Sequence, residues 1–599
     1  MKWNLASYDA SGASELAAAL NIAPLAARVL YARGFRDAEA ARSFLHPSIG
    51  DLHDPYLLKS MPEAVARLRR AIEGKEPILL YGDYDVDGTS AVVILKKGLD
   101  VLGAISSFHV PHRLRDGYGM KSEVVDAAAA AGVKLIVSVD TGIRANDVVR
   151  HASQFGIDVI VTDHHLPESE LPPAVAVLNP NRPDCSYPEK NLCGAGVALK
   201  LMDALVTASG WDAVKRARLV ESLMKLVAIA TVADVVPLTG ENRVIVKLGL
   251  EGLRSVRNPG LRAILDVSGL TEGEVPTARQ VAFQVAPRIN AAGRMASAGD
   301  VIEMFLTEDA ERARALAAQL HDLNFDRQQT ERTIVDAIFE QCVTQPVTDL
   351  DCALVFAAEG WHRGVVGIVA SRVVERFHRP AFVLGIEDGV AQGSGRSIRV
   401  FHLLEALESM PGLFTKFGGH RQAAGVSLDA GRLEEFRERF RAHAATLLTP
   451  ADFEASLEID AEVNLSELDN ESVADALSLA PFGIGNPVPM FVARGVEVAA
   501  PPEIKNEKHV FLKFRTPPVT AGIVHPITSG RPAAEGSFVR MKAWSFAERA
   551  SEFTPGSPVD VVFTLEDDAY SAARGYAPWQ AILRDVRAAQ EVLAANEPE

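Results

Sequence analysis

The sequence is poor in cysteine and has no long apolar run. Its 599 residues include only four cysteines, and no two of them are spaced as CxxC. So few cysteines exclude a disulfide framework and indicate a reducing, cytoplasmic setting. No segment approaches the roughly 18 uninterrupted apolar residues that a membrane span needs. The N-terminus also lacks the apolar stretch of a signal peptide, so we expect no membrane partner.

An excess of basic residues is also missing. The chain has 61 Lys and Arg against 78 Asp and Glu, a net charge of −17. This balance argues against a general nucleic-acid-binding protein, because such proteins present a basic surface. It does not exclude a local basic groove. The hydrophobic fraction of 48% is ordinary for a globular protein, and at about 150 residues per domain the length predicts about four domains.

What the sequence does contain is an alternation of short apolar runs with helical stretches. Four runs end in Asp, His or Asn, and they read PILLYGD, KLIVSVD, IDVIVTDHH and AVAVLNP. Strands that alternate with helices predict an α/β domain with a doubly wound, mostly parallel sheet. Ligands of such sheets bind at the carboxyl ends of the strands, where these polar residues fall.

The first of these runs leads into an acidic motif, YGDYDVDG, at residues 81–88. In an extended segment every second side chain faces the same way, so Asp83, Asp85 and Asp87 are expected to project together. Three converging carboxylates repel one another, and a hard divalent cation relieves that repulsion. An EF-hand loop is excluded because its twelfth position, which needs Glu, is Ile94. For this motif alone, a solvated acidic turn stays an alternative.

Further acids and imidazoles follow along the chain. Asp140 ends SVD, the triplet Asp163-His164-His165 ends VTDHH, and Asp234 lies in VADVVPL. Each has an ordinary explanation by itself, as a helix N-cap or a loop histidine. Taken as four strand ends that supply only Asp and His, they predict one metal site. Such ligands suit Mn²⁺ or Mg²⁺, and two ions about 3.5–4 Å apart are typical of phosphoester hydrolysis.

These segments, in this order, resemble the DHH phosphoesterase superfamily. A second set resembles the segments of the RecJ family of bacterial single-strand-specific exonucleases, also in order. They read PHRLRDGYGM, CGAGVALKL, PRINAAGRM, GWHRGVVGIVASR, GSGRS, GGHRQAAG and PFGIGNPVPMF. The resemblance spans residues 20–590 and implies the family's fold and activity.

The resemblance and the sequence patterns together predict five segments. Residues 308–343 contain no Gly or Pro and carry leucines and isoleucines near helical spacing, which indicates a long connecting helix. Short strand-like runs beyond residue 455 indicate a small β-barrel or sandwich. The predicted segments are an N-terminal helical segment (1–60), a parallel-sheet DHH domain (61–305), a connecting helix (306–345), a smaller α/β DHH-associated domain that binds substrate (346–450) and an OB-fold barrel that binds nucleic acid (451–590).

The resemblance also implies roles for particular residues. One metal ion is expected on Asp87, Asp140, His164 and Asp234. The second ion shares Asp140 and takes Asp85 and Asp83, and Tyr81 stands where smaller relatives carry a histidine ligand. His165 is expected to contact the scissile phosphate. The predicted catalytic set is Asp85, Asp87, Asp140, His164, His165 and Asp234.

A nuclease that starts from a 5′ end must hold a terminal phosphate. Arginine suits that task because its planar group donates two parallel hydrogen bonds. The family-like motifs assign it to Arg113, Arg294, Ser394 and Arg396, and they place His420 on the glycine-rich segment that faces the metal cleft. Each arginine taken alone has the ordinary explanation of a solvated surface charge. The glycines of GSGRS weaken that explanation because they let the backbone approach a ligand closely.

In the predicted barrel, Phe511, Phe514 and Trp544 are possible platforms for stacked bases. Core packing is the alternative explanation for an aromatic residue in so small a barrel.

We therefore predict a metal-dependent 5′→3′ exonuclease that degrades single-stranded DNA to nucleoside 5′-monophosphates in DNA repair and recombination. It is expected to act as a monomer, assisted by a single-strand-binding protein and a helicase. Two alternatives stay open, a DHH phosphodiesterase for short oligonucleotides or cyclic dinucleotides and a non-catalytic DNA-binding replication scaffold. The barrel region counts against the first alternative, and the full set of metal ligands counts against the second.

Overall fold

The computed structural model describes residues 1–113, 115–117, 119–517 and 538–589. They divide into two compact units, one made of Met1–Asp51 with Ser456–Glu599 and the other of Leu52–Ala455. The first 51 residues thus form a unit with the C-terminal part of the chain, whereas the sequence analysis set residues 1–60 apart as one helical segment. Leu114 and Tyr118 of the PHRLRDGYGM motif, and residues 518–537 and 590 of the predicted barrel, lie outside the described residues.

The N-terminal part of the first unit begins with a strand, which the sequence analysis did not expect. Its elements are β1 (Lys2–Leu5), α1 (Ala10–Leu20), α2 (Pro24–Ala32) and α3 (Ala38–Leu45). β1 pairs in parallel with residues 456–459, and the indole N–H of Trp3 donates to Asp585 at 2.9 Å. Both partners lie more than 450 residues away along the chain. A four-residue strand whose partner is so distant carries no local signal.

The second unit contains a five-stranded sheet that confirms the predicted α/β fold. Its strands are β2 (Ile78–Tyr81), β3 (Ser106–His109), β4 (Leu135–Val139), β5 (Asp158–Thr162) and β6 (Ala176–Leu178). All pairs are parallel, in the order β3-β2-β4-β5-β6. The strand order reverses between β2 and β4, and ligands of such sheets bind outside the carboxyl ends of the strands at this reversal.

The same unit contains a series of helices between residues 61 and 306. They are α4 (Met61–Glu73), α5 (Val86–Val101), α6 (Ser122–Ala130), α7 (Asn146–Gln154), α8 (Gly194–Ala208), α9 (Ala213–Ala233), α10 (Gly240–Gly252), α11 (Pro259–Val267), α12 (Ala278–Gln280), α13 (Ala286–Met295) and α14 (Gly299–Leu306). A five-residue π-helix, Val281–Val285, leads into α13. α5, α8 and α9 pack against one another, and their facing sides are apolar and buried. Among the described residues, no helix is both long and apolar enough to cross a membrane.

The long connecting helix is present as α15 (Ala310–Thr344). Leu316, Leu320, Ile334 and Ile338 are buried along it, and so is Arg327. A second sheet follows, with the order β10-β11-β9-β8-β7. Its elements are β7 (Leu354–Glu359), α16 (Val366–Phe377), β8 (Ala381–Glu387), β9 (Val390–Arg396), α17 (Leu403–Glu408), β10 (Lys416–Gly419), β11 (Ala423–Asp429) and α18 (Leu433–Leu447). β7 and β8 are parallel, and the other neighbours are antiparallel.

The C-terminal part of the first unit is a closed barrel. Its elements are β12 (Ser456–Ile459), β13 (Ala461–Glu462), α19 (Asn470–Leu477), β14 (Met490–Val498), β15 (Glu503–Lys505), β16 (His509–Arg515), β17 (Val539–Ala543), β18 (Pro558–Asp567), α20 (Ala569–Ala572) and β19 (Trp579–Ala588). The strands pair in the order β14-β18-β19-β17-β16, and β16 pairs back with β14 to close the ring. One core joins residues of this barrel to Leu25 and Val29 of α2.

Candidate metal centre and phosphate pocket

The acidic motif begins a helix directly after strand β2. Asp85 is the N-cap of α5, and its carboxylate accepts the backbone N–H of Gly88 at 2.9 Å. Asp87 lies in the first turn of the helix. The predicted extended conformation of this motif is therefore wrong. The capping side chain of Asp85 starts the helix here, and Gly88 fits because a Cβ at its position would lie 2.7 Å from the backbone of Asp83.

The carboxylates of this motif nevertheless lie close to those of other strands and helices. In one group, ligand atoms of Asp83, Asp85 and Asp140 lie within 4.8 Å of one another. In a second group, the same holds for Asp87, His164 and Asp234. The two groups meet at His164, whose Nε2 lies 3.1 Å from Oδ1 of Asp140. The six residues that the sequence analysis assigned to the metal ions are thus brought together at the reversal point of the sheet, and a third group joins Asp140 and His164 to His165.

Left-handed backbone occurs at Asp140 and directly after Asp234. Asp140 directly follows β4 with φ +57°, in the left-handed region. Asp234 was expected at a strand end, and this is wrong, because it is the C-cap of helix α9. The apolar run before it resembles a strand because this part of α9 is buried by neighbouring helices. Val235 follows with φ +61°, a conformation that β-branched residues rarely adopt.

The N-terminus of helix α8 holds Asp87 in place. The backbone N–H groups of Gly194 and Ala195 donate to its two carboxylate oxygens at 2.6 and 2.8 Å. Helix N-termini bind anions because their first N–H groups have no partner within the helix. The CGAGV segment therefore orients the carboxylate of Asp87, one of the predicted metal ligands.

Asp163 orients the two histidines that follow it, His164 and His165. Its buried carboxylate accepts hydrogen bonds from the N–H groups of Ile143 and His164 and lies 2.7 Å from Nδ1 of His165. Burial would raise the pKa of Asp163, but these contacts lower it. Burial would lower the pKa of His165, yet the hydrogen bond and charge of Asp163 raise it. The sequence analysis named Asp163 but gave it no role, and its role is to fix the ring of His165.

The cluster carries more negative charge than its own surroundings stabilise. Burial and neighbouring carboxylates hold the pKa values of Asp83, Asp140 and Asp234 well above the ordinary range. Oδ1 of Asp83 and Oδ2 of Asp234 are buried and have no hydrogen-bond partner among the described residues. Buried oxygens of this kind require a partner, and cations supply one. The oxygen-rich set with one imidazole fits Mn²⁺ or Mg²⁺.

Three of the predicted phosphate binders, Arg294, Ser394 and Arg396, lie next to the start of helix α16. A Cβ on Gly367 of this helix would lie 3.4 Å from Ser394 and from the guanidinium of Arg396. Arg294 donates to the carbonyl oxygen of Gly364 at 2.9 Å. Burial lowers the pKa of Arg294 to about 10, and three neighbouring guanidinium groups contribute to this shift. They belong to Arg113, Arg327 and Arg396.

Such a concentration of like charge calls for an anion. The sequence analysis did not assign Arg327 to the phosphate. It is a buried residue that interrupts the apolar spacing of the connecting helix, and a buried arginine at such a position is the signal that could have found it. His420 is an exposed residue in the turn that follows strand β10. Partial burial of its ring lowers its pKa, and the nearby charges of Arg144 and His165 lower it further. Tyr81 is buried, and its hydroxyl donates to the carbonyl oxygen of Gly119 at 3.3 Å.

Fold and site together define a protein of the DHH class. Residues 77–231 match the model of the DHH family N-terminal domain, and residues 350–446 match that of the DHHA1 domain. Residues 459–524 match the RecJ OB domain.

Individual relatives narrow the class. The chain is 40% identical over 487 residues to the single-stranded-DNA-specific exonuclease RecJ of Dickeya dadantii, a match that covers 79% of this chain and 84% of the relative. It is 40% identical over 521 residues to the RecJ of Bacillus subtilis, covering 86% of this chain but only 64% of that longer protein. The crystal structure of Thermus thermophilus RecJ with Mn²⁺ superposes with a TM-score of 0.80 at 32% identity, covering 98% of this chain and 80% of that one. The chain belongs to the RecJ family.

Proposed function

We propose that this chain is a metal-dependent 5′→3′ exonuclease that degrades single-stranded DNA to nucleoside 5′-monophosphates in DNA repair and recombination. The observation that carries the proposal is the pair of ligand groups meeting at Asp140 and His164, with an arginine cluster in the same unit. The relatives named above act on single-stranded DNA by their descriptions.

The metal centre is assigned to the six converging ligands. Asp87, Asp234 and His164 hold one divalent cation, Asp83 and Asp85 hold the other, and Asp140 serves both. When bound, Mn²⁺ or Mg²⁺ ions offset the charge of the phosphodiester and lower the pKa of the attacking water. The protein's part is to fix the ligands, as helix α8 does for Asp87 and as Asp163 does for the histidine pair. We assign to His165 a contact with the scissile phosphate.

The polarity of degradation follows from the arginine cluster. Arg113, Arg294, Ser394 and Arg396 form a pocket for the terminal 5′-phosphate, and His420 contacts the strand near it. Guanidinium groups donate paired hydrogen bonds to phosphate oxygens, and a bound dianion offsets the mutual repulsion of the arginines. A strand held by its 5′ end presents the first phosphodiester to the metal ligands.

We assign to the barrel the binding of the part of the DNA strand that lies beyond the 5′ end. Arg540 lies 4.1 Å from the ring of Phe511, and Lys542 lies 3.5 Å from the ring of Trp544. Trp544 is 45% exposed, and Phe511 pairs with Lys542 across neighbouring strands. Aromatic rings next to cations suit stacked bases and their phosphates. Phe514 is fully buried, so it is a core residue and carries no base.

For partners and setting, the proposal is a cytoplasmic monomer that a helicase and a single-strand-binding protein supply with substrate. Its support is chemical. The four cysteines are free thiols, and an enzyme that needs a single-stranded 5′ end requires another protein to open the duplex.

The test is digestion of single strands labelled at either end, with Mn²⁺, Mg²⁺ or a chelator. We expect the 5′ label to appear at once as a mononucleotide, whereas the 3′ label stays on a shortening strand. The chelator and Asp140→Asn should both stop the reaction. Shortening from the 3′ end would contradict the polarity, and hydrolysis of dinucleotides or cyclic dinucleotides alone would favour the small-substrate alternative.

A further inference from the structure

Helix α13 lies against the loop that carries the first metal-ligand motif. The side-chain oxygen of Asn290, on this helix, accepts the backbone N–H of Val86 at 3.2 Å. One turn further along, Gly293 approaches so closely that a Cβ would lie 2.4 Å from the carbonyl oxygen of Tyr84. Tyr84 and Val86 are the two chain neighbours of Asp85. Helix α13 therefore holds the backbone on both sides of this ligand.

The contact made by Asn290 supplies a hydrogen-bond acceptor to the first backbone N–H of helix α5. Val86 is the first residue of that helix, and its N–H has no partner within the helix. The capping carboxylate of Asp85 satisfies the N–H of Gly88 instead. Asn290 thus supplies the partner of the peptide that joins Asp85 to Val86. The orientation of this peptide sets the direction in which the Asp85 side chain leaves the backbone.

The same helix contributes to the phosphate pocket through a different side chain. Arg294 donates to the carbonyl oxygen of Gly364 at 2.9 Å, and this contact does not involve Asn290. A change at Asn290 should therefore disturb the metal ligands while leaving the recognition of a 5′ end intact.

We propose that Asn290 is a positioning residue for the metal centre, which holds Asp85 in the direction that one of the two cations requires. This inference rests on the proposed function in taking Asp85 as a metal ligand. Asn290 itself touches neither the metal ion nor the substrate.

The test measures Mn²⁺ binding directly, by the electron paramagnetic resonance of free Mn²⁺ in solutions of the full chain. Asn290→Leu keeps the size of the side chain and removes the acceptor oxygen. Removing a residue that orients a metal ligand costs about 10- to 100-fold in affinity. We expect a loss of this size at one of two sites, with the second site retained.

Asn258 provides a matched control within the same unit. Its side-chain oxygen accepts the N–H of Leu261 at the start of helix α11 at 2.8 Å, the same kind of contact away from the metal centre. Asn258→Leu should lower the melting temperature and leave both Mn²⁺ affinities unchanged. Asn290→Asp, which keeps the acceptor, should bind both ions. In Asn290→Leu, the rate ratio between 5′-phosphorylated and 5′-blocked strands should equal that of the wild type.

Wild-type Mn²⁺ binding by Asn290→Leu, or an equal loss in Asn258→Leu, would overturn the inference. If Asn290→Leu fails to fold by circular dichroism, Asn290→Ala, which adds no bulk, decides the same question. A wild-type chain that binds no second Mn²⁺ would instead overturn the proposed function, so the two failures are distinguishable.

Discussion

Gly194 lies directly against Asp140, so that a β-carbon on Gly194 would lie 2.6 Å from the β-carbon of the aspartate. This glycine also donates its N–H to Asp87 at 2.6 Å. One residue without a side chain thereby allows two carboxylates, from different elements, to approach one site.

Gly194→Ala should abolish hydrolysis, because the added methyl group displaces Asp140 from the position where the two ligand groups meet. The measurement is the rate of mononucleotide release with saturating Mn²⁺. Gly196→Ala is the matched control on the same helix, since the atoms nearest to its Cβ would belong to the side chain of Leu192, the first at 3.2 Å. Activity in Gly194→Ala equal to that of the control would show that the close approach is unimportant.

Asp140→Ala should remove activity while the chain stays folded, because a carboxylate shared by both ions leaves no partial two-metal site when it is lost. Product release and the far-ultraviolet circular dichroism spectrum check the two halves of this expectation. Asp322→Ala, at an exposed position on the connecting helix, is the control. If Asp140→Ala retains a tenth of wild-type turnover, the assignment of Asp140 as a ligand of both ions is wrong.

The raised carboxyl pKa values of the metal centre should make the stability of the metal-free protein fall as the pH rises above the ordinary carboxyl pKa. The pKa values of Asp83, Asp140 and Asp234 are raised in the folded chain, so above the ordinary carboxyl pKa the folded state binds more protons than the unfolded state. Stability then decreases with pH up to the raised values. His165 has a raised pKa and acts in the same direction. The lowered pKa of His164 acts oppositely, but only below about 6.5, the ordinary pKa of histidine.

Melting temperatures between pH 7 and 9, with chelator and with Mn²⁺, check this dependence. Mn²⁺ should flatten the decline, and Asp140→Asn should reduce it in the presence of chelator. A melting temperature that rises with pH in chelator would contradict the raised pKa values.

Arg396→Ala should weaken capture of a 5′-phosphorylated end more than it slows the chemical step. Loss of a charge-assisted contact of about 1.5–3 kcal/mol corresponds to about 10- to 150-fold weaker binding. The comparison is the KM for 5′-phosphorylated and 5′-blocked strands, with Arg439→Ala, in a surface pair with Glu435, as control. An Arg396→Ala variant that treats both ends as the wild type does cannot have lost an end-binding group.

Trp544→Ala should weaken the binding of single strands long enough to reach the barrel. A stacked base contributes about 1–3 kcal/mol, which corresponds to about 5- to 150-fold in affinity. Binding is measured in an Asp140→Asn background, so that no cleavage occurs. Phe155→Ala, another partly exposed aromatic residue, serves as control. If the Asp140→Asn protein binds long strands with the same affinity whether or not it also carries Trp544→Ala or Phe155→Ala, Trp544 is excluded as a stacking platform.

The sequence by itself determined the strands that carry the site and the types of ligand. β2, β4, β5 and β6 are local apolar runs of strand length, and the residues that end three of them supply five of the six predicted metal ligands. The connecting helix was also readable, since periodic spacing over residues without Gly or Pro is a local property. Parallel pairing then brings the carboxyl ends of β2 and β4 together, so convergence of their acids followed from the α/β pattern.

Only the tertiary structure decided how those ligands are held. The acidic motif enters a helix because Asp85 caps it, and Asn290 completes that cap from 204 residues further along. Asp234 ends helix α9, and neighbouring helices bury the last turns of α9 on all sides. The residues before Asp234 are therefore almost all apolar, and such a short apolar run cannot be distinguished from a buried strand by sequence alone. The strand β1 exists only because residues 456–459 offer it a partner. The Asn290 contact, the burial of α9 and the pairing of β1 depend on contacts between distant parts of the chain, and a local pattern contains no record of them. The cap that Asp85 forms on Gly88 spans only three residues, so that part of the helix start was readable from the sequence and was missed.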